Sequence, residues 1–244
     1  AGCDDAALTT HKLILQLPQT LQCSRLHRHS PIPFMPWPAS LLLAEILLAV
    51  PELIEGKAVL ELGCGAYGVP TLAAASAAAA RVLATDAEAG AVEQLRKRLL
   101  QVEQRKSCNL QASVLHWEDA CGCADVEDGE RFPLIIGSDI LHERGHAAPV
   151  VAAISHLLAP RGMAMIVNPA ARHRFGVEEF VALVQDSADI VAEVLPLSSD
   201  VTDHLRDLVD PDAANMDYDL HCLYYCGAAH RNRAIGQHCH GSHM

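Results

Sequence analysis

Glu61-Leu62-Gly63-Cys64-Gly65-Ala66-Tyr67-Gly68 sets three glycines in GxGxxG spacing, directly after the apolar run from Ala58 to Leu62 and before an alanine-rich stretch. An apolar run that ends in glycines reads as a buried strand entering a tight turn, and the alanines beyond it read as a helix over about 70–80. Outward from this unit the alternation continues. Strands are expected at 81–85, ending at Asp86, then at 111–116, 133–138, 162–168, 189–197 and 219–226. Helices are expected at 39–49, 88–104, 146–158, 177–185 and 202–209, with an acidic loop at 119–130. Two short strand-like runs, 12–17 and 21–26, suggest an N-terminal hairpin, and the segment 31–38 is too rich in proline for a helix or a central strand. Strands alternating with helices give an α/β fold: a Rossmann-like, seven-stranded, mostly parallel sheet with helices on both faces and a hairpin arm in front. In such sheets ligands bind at the carboxyl ends of the strands, where the strand order reverses.

The 244 residues suffice for one sizeable core. Half are hydrophobic but only 4% are aromatic, which suits helices on a parallel sheet and singles out Trp37 and Trp117. The net charge of −12 argues against nucleic-acid or anionic-membrane partners. Arg25, His27, Arg28 and His29 form a local basic cluster that is either a solvated loop or a rim guiding an acidic protein. The nine cysteines are odd in number, irregularly spaced and preceded by no signal-peptide pattern, so they read as reduced thiols of an intracellular protein. Cys222, Cys226, His238, Cys239 and His240 lie close in sequence without a CxxC pair, and no metal site is expected. Gly241-Ser242-His243-Met244 reads as a cloning scar.

GxGxxG alone serves a dinucleotide as well as S-adenosylmethionine. Glu61 separates the two. A pyrophosphate needs positive potential at the helix that follows, and a carboxylate two residues before the first glycine opposes it. S-adenosylmethionine carries an ammonium and a sulfonium, which a carboxylate favours. Asp86 ends the second strand 21 residues beyond Gly65. There it can accept hydrogen bonds from both ribose hydroxyls, or cap the helix over 88–104, and the two roles are compatible.

Taken in order, Trp37-Pro38-Ala39, Glu61-Leu62-Gly63-Cys64-Gly65, Asp86, Leu115-His116-Trp117 and Ser138-Asp139-Ile140-Leu141-His142 resemble the seven-β-strand protein methyltransferases. The resemblance is to the group that includes calmodulin-lysine methyltransferase and other eukaryotic lysine methyltransferases. The stretch from Leu157 to Met165 resembles its calmodulin-directed branch, and the likeness runs from about residue 12 to 226. It implies an arm at 1–38, a methyltransferase domain at 39–228 and a tail at 229–244. It also implies S-adenosylmethionine as cofactor and S-adenosylhomocysteine as product. Trp117 corresponds to a tryptophan beside the adenine, Trp37 to one lining the cofactor pocket, and Ser138 to a small residue packed on the cofactor. Gly63, Cys64 and Gly65 complete the binding set.

The group has an aromatic residue where this chain has His142. Asp139 keeps the carboxylate expected near an acceptor amine, and the His142 imidazole can pack flat or take a proton near neutral pH. Asp139 and His142 are the expected catalytic pair, acting on lysine of a protein substrate. Arginine, histidine or a small molecule is the alternative acceptor, and a cofactor-binding module without catalysis is the alternative class. A monomer in the cytoplasm, and also in the nucleus, is expected. Asn168-Pro169 reads as a strand terminator.

Overall fold

The structure, a computed structural model, describes residues 34, 36–103, 108–122, 126, 129–197 and 216–225. The expected hairpin, the Arg25–His29 cluster and the helix over 202–209 lie outside the described residues.

The described chain runs α1 (Pro38–Ala49), β1 (Ala58–Leu62), α2 (Val69–Ser76), β2 (Arg81–Asp86), α3 (Ala89–Glu103), β3 (Asn109–Val114), β4 (Phe132–Ser138), α4 (Ala147–Leu157), β5 (Leu158–Pro169), α5 (Phe175–Asp186), β6 (Ile190–Leu197) and β7 (Tyr218–Tyr225). Short 3₁₀ turns occupy Pro51–Leu53, Trp117–Gly122 and Ala171–His173. The strands form one sheet in the order β3-β2-β1-β4-β5-β7-β6. The first five are parallel, and β7 lies antiparallel between β5 and β6.

The two faces of the sheet carry separate cores. One packs Leu42, Leu43 and Leu47 of α1, Ala73 and Ala74 of α2 and Leu95 of α3 against Val59, Val82 and Met165. The other packs Val150 and Ile154 of α4 and Val177 and Phe180 of α5 against Leu60, Leu83 and Ile166. β1 is buried along nearly its whole length because both its faces are covered. α1 starts on Pro38, whose missing N–H costs nothing at a first helical position, and it stops before Pro51. Among the described residues no helix is long and apolar enough to cross a membrane.

Several element boundaries shift from the sequence reading, and three of the shifts have a visible cause. α2 ends at Ser76 rather than near residue 80, because Ala78 turns left-handed (φ 63°) and the Ala79 N–H bonds back to the Ala74 carbonyl. That turn releases the chain so that Arg81 can pair with Ala58. β3 sits two residues earlier than expected, at Asn109–Val114, since pairing from Arg81↔Asn109 to Asp86↔Val114 fixes its register. Leu115 leaves the sheet and is buried in the opposite core. β5 begins at once after α4, and a bulge containing Arg161 (φ 65°) carries it past Pro160.

From β1 the chain steps outward to β2 and β3, then returns to β4 on the other side of β1. The strand order therefore reverses between β1 and β4, which places a crevice at their carboxyl ends.

Candidate active site

A cleft of about 580 Å³ opens at that reversal, within the usual range for a small-molecule site. Its walls include Trp37, Gly63, Cys64, Gly65, Asp86, Trp117, Ser138, Asp139 and His142. Of the expected catalytic and cofactor-binding residues, only Glu61 is off the wall. It is fully buried beneath the glycine turn.

Two adjacent N–H groups tie the glycine turn to the end of β2. The Cys64 N–H donates to the Thr85 carbonyl at 2.9 Å, and the Gly65 N–H donates to Asp86 Oδ2 at 2.9 Å. Gly63 has φ 71°, and a Cβ there would stand 2.6 Å from Ile140 Cγ2, so a side chain would both strain the turn and collide with the β4 loop. Asp86 Oδ1 accepts the Glu88 N–H at 2.9 Å, which starts the turn into α3. Asp86 thus fixes the turn and still faces the cleft.

Glu61 accepts a hydrogen bond from Thr71 Oγ1 of α2, while its Oε1 is buried with no partner. Burial, helped by the nearby Asp86 charge and opposed by Thr71, pushes its carboxyl up to about 7. The Cys64 thiol is raised well above its ordinary value by burial and by Glu61 and Asp86. This end of the cleft disfavours added negative charge. A cationic ligand would relieve it, and a pyrophosphate would make it worse.

The other end is built on the loop after β4. Asp139 is left-handed (φ 49°), a conformation that Asp tolerates better than most residues. Its side chain is nearly buried and takes a bidentate pair from Arg174, Nε to Oδ1 at 2.8 Å and Nη2 to Oδ2 at 2.7 Å. This pair raises the Arg174 guanidinium further. Tyr218 of β7 is raised by burial and by the Asp139 charge, so its phenol stays protonated.

The Asp139 carbonyl lies 3.1 Å from His142 Nδ1. A carbonyl only accepts, so in this contact Nδ1 is the donor, and in the neutral form of the ring Nε2 is then the acceptor. His142 packs edge-on against His146 at 4.9 Å between centroids, and His146 packs edge-on against Trp117 at 5.2 Å. Glu143 lies between the two imidazoles, 3.9 Å from His142 Nε2 and 3.7 Å from His146 Nε2.

Arg174, Glu143 and His146 do not stand out in the sequence as members of a site. His142-Glu143-Arg144-Gly145-His146 has HExxH spacing, the one signal that could have drawn attention to the last two. On a helix that spacing aligns two imidazoles for zinc. Here it lies in a loop turned by Gly145 (φ 88°), and among the described residues no three His, Cys, Asp or Glu side chains are grouped to hold a metal.

Protein-lysine N-methyltransferase EFM3 of Chaetomium thermophilum is 28% identical to this chain over 151 residues, covering 60% of this chain and 45% of that protein. The chain therefore spans less than half the length of that relative. The O-methyltransferase TomG of Streptomyces achromogenes, solved in complex with SAM, matches with a TM-score of 0.59 at 13% identity over 86% of this chain and 89% of that one. The O-methyltransferase from Bacillus cereus, solved in complex with SAH, matches with a TM-score of 0.56 at 16% identity over 88% and 90% of the two chains. At such identities the likeness of the two structures is one of fold. The lysine methyltransferase family model matches residues 27–187, and the chain belongs to that family.

Proposed function

We propose that the chain is an S-adenosylmethionine-dependent methyltransferase that N-methylates lysine on a protein, with S-adenosylhomocysteine as product. The observation that carries this reading is the acidic set at the glycine turn: Asp86 on the cleft wall and, beneath it, Glu61 with an unpartnered buried oxygen. Such a set fits a ligand with a cationic amino-acid end and ribose hydroxyls. The turn Gly63-Cys64-Gly65 would hold the former above the buried Glu61 charge, and Asp86 the latter. Trp117, Trp37 and Ser138 supply flat and small surfaces for the rest. When bound, the cofactor supplies a methyl carbon already activated by its sulfonium charge.

What remains for the chain is to align the acceptor, exclude water and take a proton. A lysine amine has an ordinary pKa near 10.4 and must shed a proton before it has a lone pair. With both Asp139 oxygens occupied by Arg174, the base in this reading is His142, through Nε2. Asp139 shapes the acceptor end. The net charge of −12 supports a protein rather than a nucleic acid or lipid surface as partner. The free thiols of Cys64 and Cys222 suit a reducing compartment, cytoplasm or nucleus.

Incubation with radiolabelled S-adenosylmethionine and cell-extract protein tests the reading. The expected result is label recovered as methyl-lysine after acid hydrolysis. Label in another residue or in small molecules would move the acceptor class, and binding without transfer would reject the activity.

A further inference from the structure

Arg174 stands where the helix it precedes gains nothing from it. It is the N-cap of α5, with extended backbone (φ −141°, ψ 128°) and no side-chain capping bond. A cation at a helix N-terminus is disfavoured by the helix dipole, and Ser, Thr, Asp or Asn would cap better. Its guanidinium instead reaches back to Asp139, 35 residues earlier, with both N–H groups in hydrogen-bond range and both side chains largely buried. Two residues on, Gly176 donates its N–H to the Leu141 carbonyl at 3.2 Å, and a Cβ at Gly176 would come within 2.7 Å of that oxygen. The start of α5 is thus docked directly on the loop that carries Asp139, Leu141 and His142.

The same residue that Arg174 grips orients the imidazole. Asp139 turns left-handed, sends its carboxylate to Arg174 and its carbonyl to His142 Nδ1. In free histidine the hydrogen prefers Nε2, so the tautomer this contact calls for depends on that carbonyl. If Asp139 relaxes, the bond to Nδ1 is lost and Nε2 is no longer reliably bare.

We propose that Arg174 is a positioning residue: by clamping the Asp139 carboxylate it holds the backbone turn that fixes His142 with Nε2 free to take the acceptor's proton. This rests on the methyltransferase reading above. The proton passes from the acceptor ammonium to the Nε2 lone pair and then to water at the exposed side of Glu143, leaving the amine neutral. Glu143 and the His146 ring face His142 directly, while Arg174 and Tyr218 act on it only through Asp139.

The test uses Arg174→Lys, which keeps the charge but not the fork, and Arg174→Gln with Asp139→Asn, which replaces the ion pair by two amides. Imidazole ¹⁵N shifts of the ligand-free protein report the His142 tautomer. Methyl-lysine formation in extract protein at saturating S-adenosylmethionine reports turnover, and calorimetry reports cofactor Kd. Arg174→Lys is expected to shift the ¹⁵N pattern from hydrogen on Nδ1 toward a mixture. It should lower turnover about tenfold or more while leaving cofactor Kd within about twofold, since only positioning of the base is lost. Asp139→Asn combined with Arg174→Lys should be no worse than the more damaging single change, because one acts through the other. An unchanged tautomer in folded Arg174→Lys, or turnover within about twofold of wild type, overturns the proposal. If Arg174→Lys does not fold, the amide pair gives the same two readouts with the same expectations. If wild type itself makes no methyl-lysine, the methyltransferase reading fails, and the ¹⁵N pattern still decides whether Arg174 sets the tautomer.

Discussion

The carboxylates of Asp86 and Asp139 end neighbouring parts of one cleft and are satisfied in different ways. Asp86 takes the N–H groups of Gly65 and Glu88, both at 2.9 Å and both within the β1–β2 corner. Asp139 takes two N–H groups of a guanidinium that arrives with α5. The first arrangement completes itself once β1, β2 and their turns form. The second exists only after α5 docks on the loop following β4. The charges differ as well. The Asp86 end concentrates negative charge around a buried, raised Glu61, whereas the Asp139 end neutralises its carboxylate with Arg174. In the proposed reading, a site divided this way can keep a constant cofactor end while its acceptor end varies, and His142 lies at the varying end.

The largest effect that would test this division is at His142. His142→Ala removes the proposed base and should lower turnover by about 10²–10⁴-fold, the scale of a positioned acid–base group. Cofactor affinity should stay within about twofold. Loss of cofactor binding with normal turnover at saturation would break the division, because it would put His142 at the wrong end.

Glu61 gives the next largest effect. Its carboxyl is raised from 4.5 to about 7 in the folded, ligand-free protein, chiefly by burial. Folding therefore favours the protonated form. The stability associated with it is fully present below about 4.5 and is lost as pH rises through about 7, by ~3 kcal/mol in all. His221 acts in the opposite sense: burial lowers it to about 4, so its contribution is lost as pH falls through that value. The difference between wild type and Glu61→Gln isolates the glutamate. Urea denaturation at pH 5 and pH 8 should show Glu61→Gln gaining on wild type at the higher pH, and parallel curves would reject the assignment. A cationic cofactor should also expel the proton near pH 6, seen as buffer-dependent binding heat that Glu61→Gln lacks.

The glycine-turn end of the cleft was legible in the sequence because its members are close together along the chain. Glu61 and the glycines are consecutive, and Asp86 follows where the next strand must end. The strand β4 and its Ser138-Asp139 terminus were legible for the same reason. Arg174 was not, since nothing local distinguishes an arginine before a helix from a solvated one, and its partner is fixed only by tertiary docking. His146 was read as the first residue of a helix. It does precede α4, but its ring lies on the cleft wall. The β3 register was misplaced because Val114-Leu115 reads as a continuing strand, whereas pairing with β2 ends the strand at Val114.

Asp86→Ala should weaken S-adenosylmethionine binding by about 1.5–3 kcal/mol, the cost of hydrogen bonds to a charged acceptor. It also frees the Gly65 and Glu88 N–H groups, so part of the loss should appear in the ligand-free fold. Calorimetry on the folded variant checks the first effect. Unchanged affinity would remove Asp86 from the cofactor site and leave it as a turn-former only.

The smallest effect concerns whether the two ends are independent. Trp117 belongs to the cofactor end in the proposed reading, yet its ring meets His146 edge-on at 5.2 Å, and His146 meets His142 at 4.9 Å. Three rings thus run from one end to the other in direct contact. Edge-to-face aromatic pairs contribute about 0.5–1.5 kcal/mol beyond burial. Replacing Trp117 removes one such contact and frees His146 to shift against His142. Trp117→Leu should therefore weaken cofactor binding several-fold, as the loss of about 1 kcal/mol implies. It should also change turnover measured at saturating cofactor, through the displaced imidazole. A double-mutant cycle with His142→Phe measures this directly: contacting groups give interaction energies of about 0.5 kcal/mol or more, and independent sites add to within about 0.3–0.5. We expect the cycle on turnover to show coupling above that limit. Additive effects would mean that His146 only fills space between the ends, and the cleft would then be two separable half-sites on one sheet.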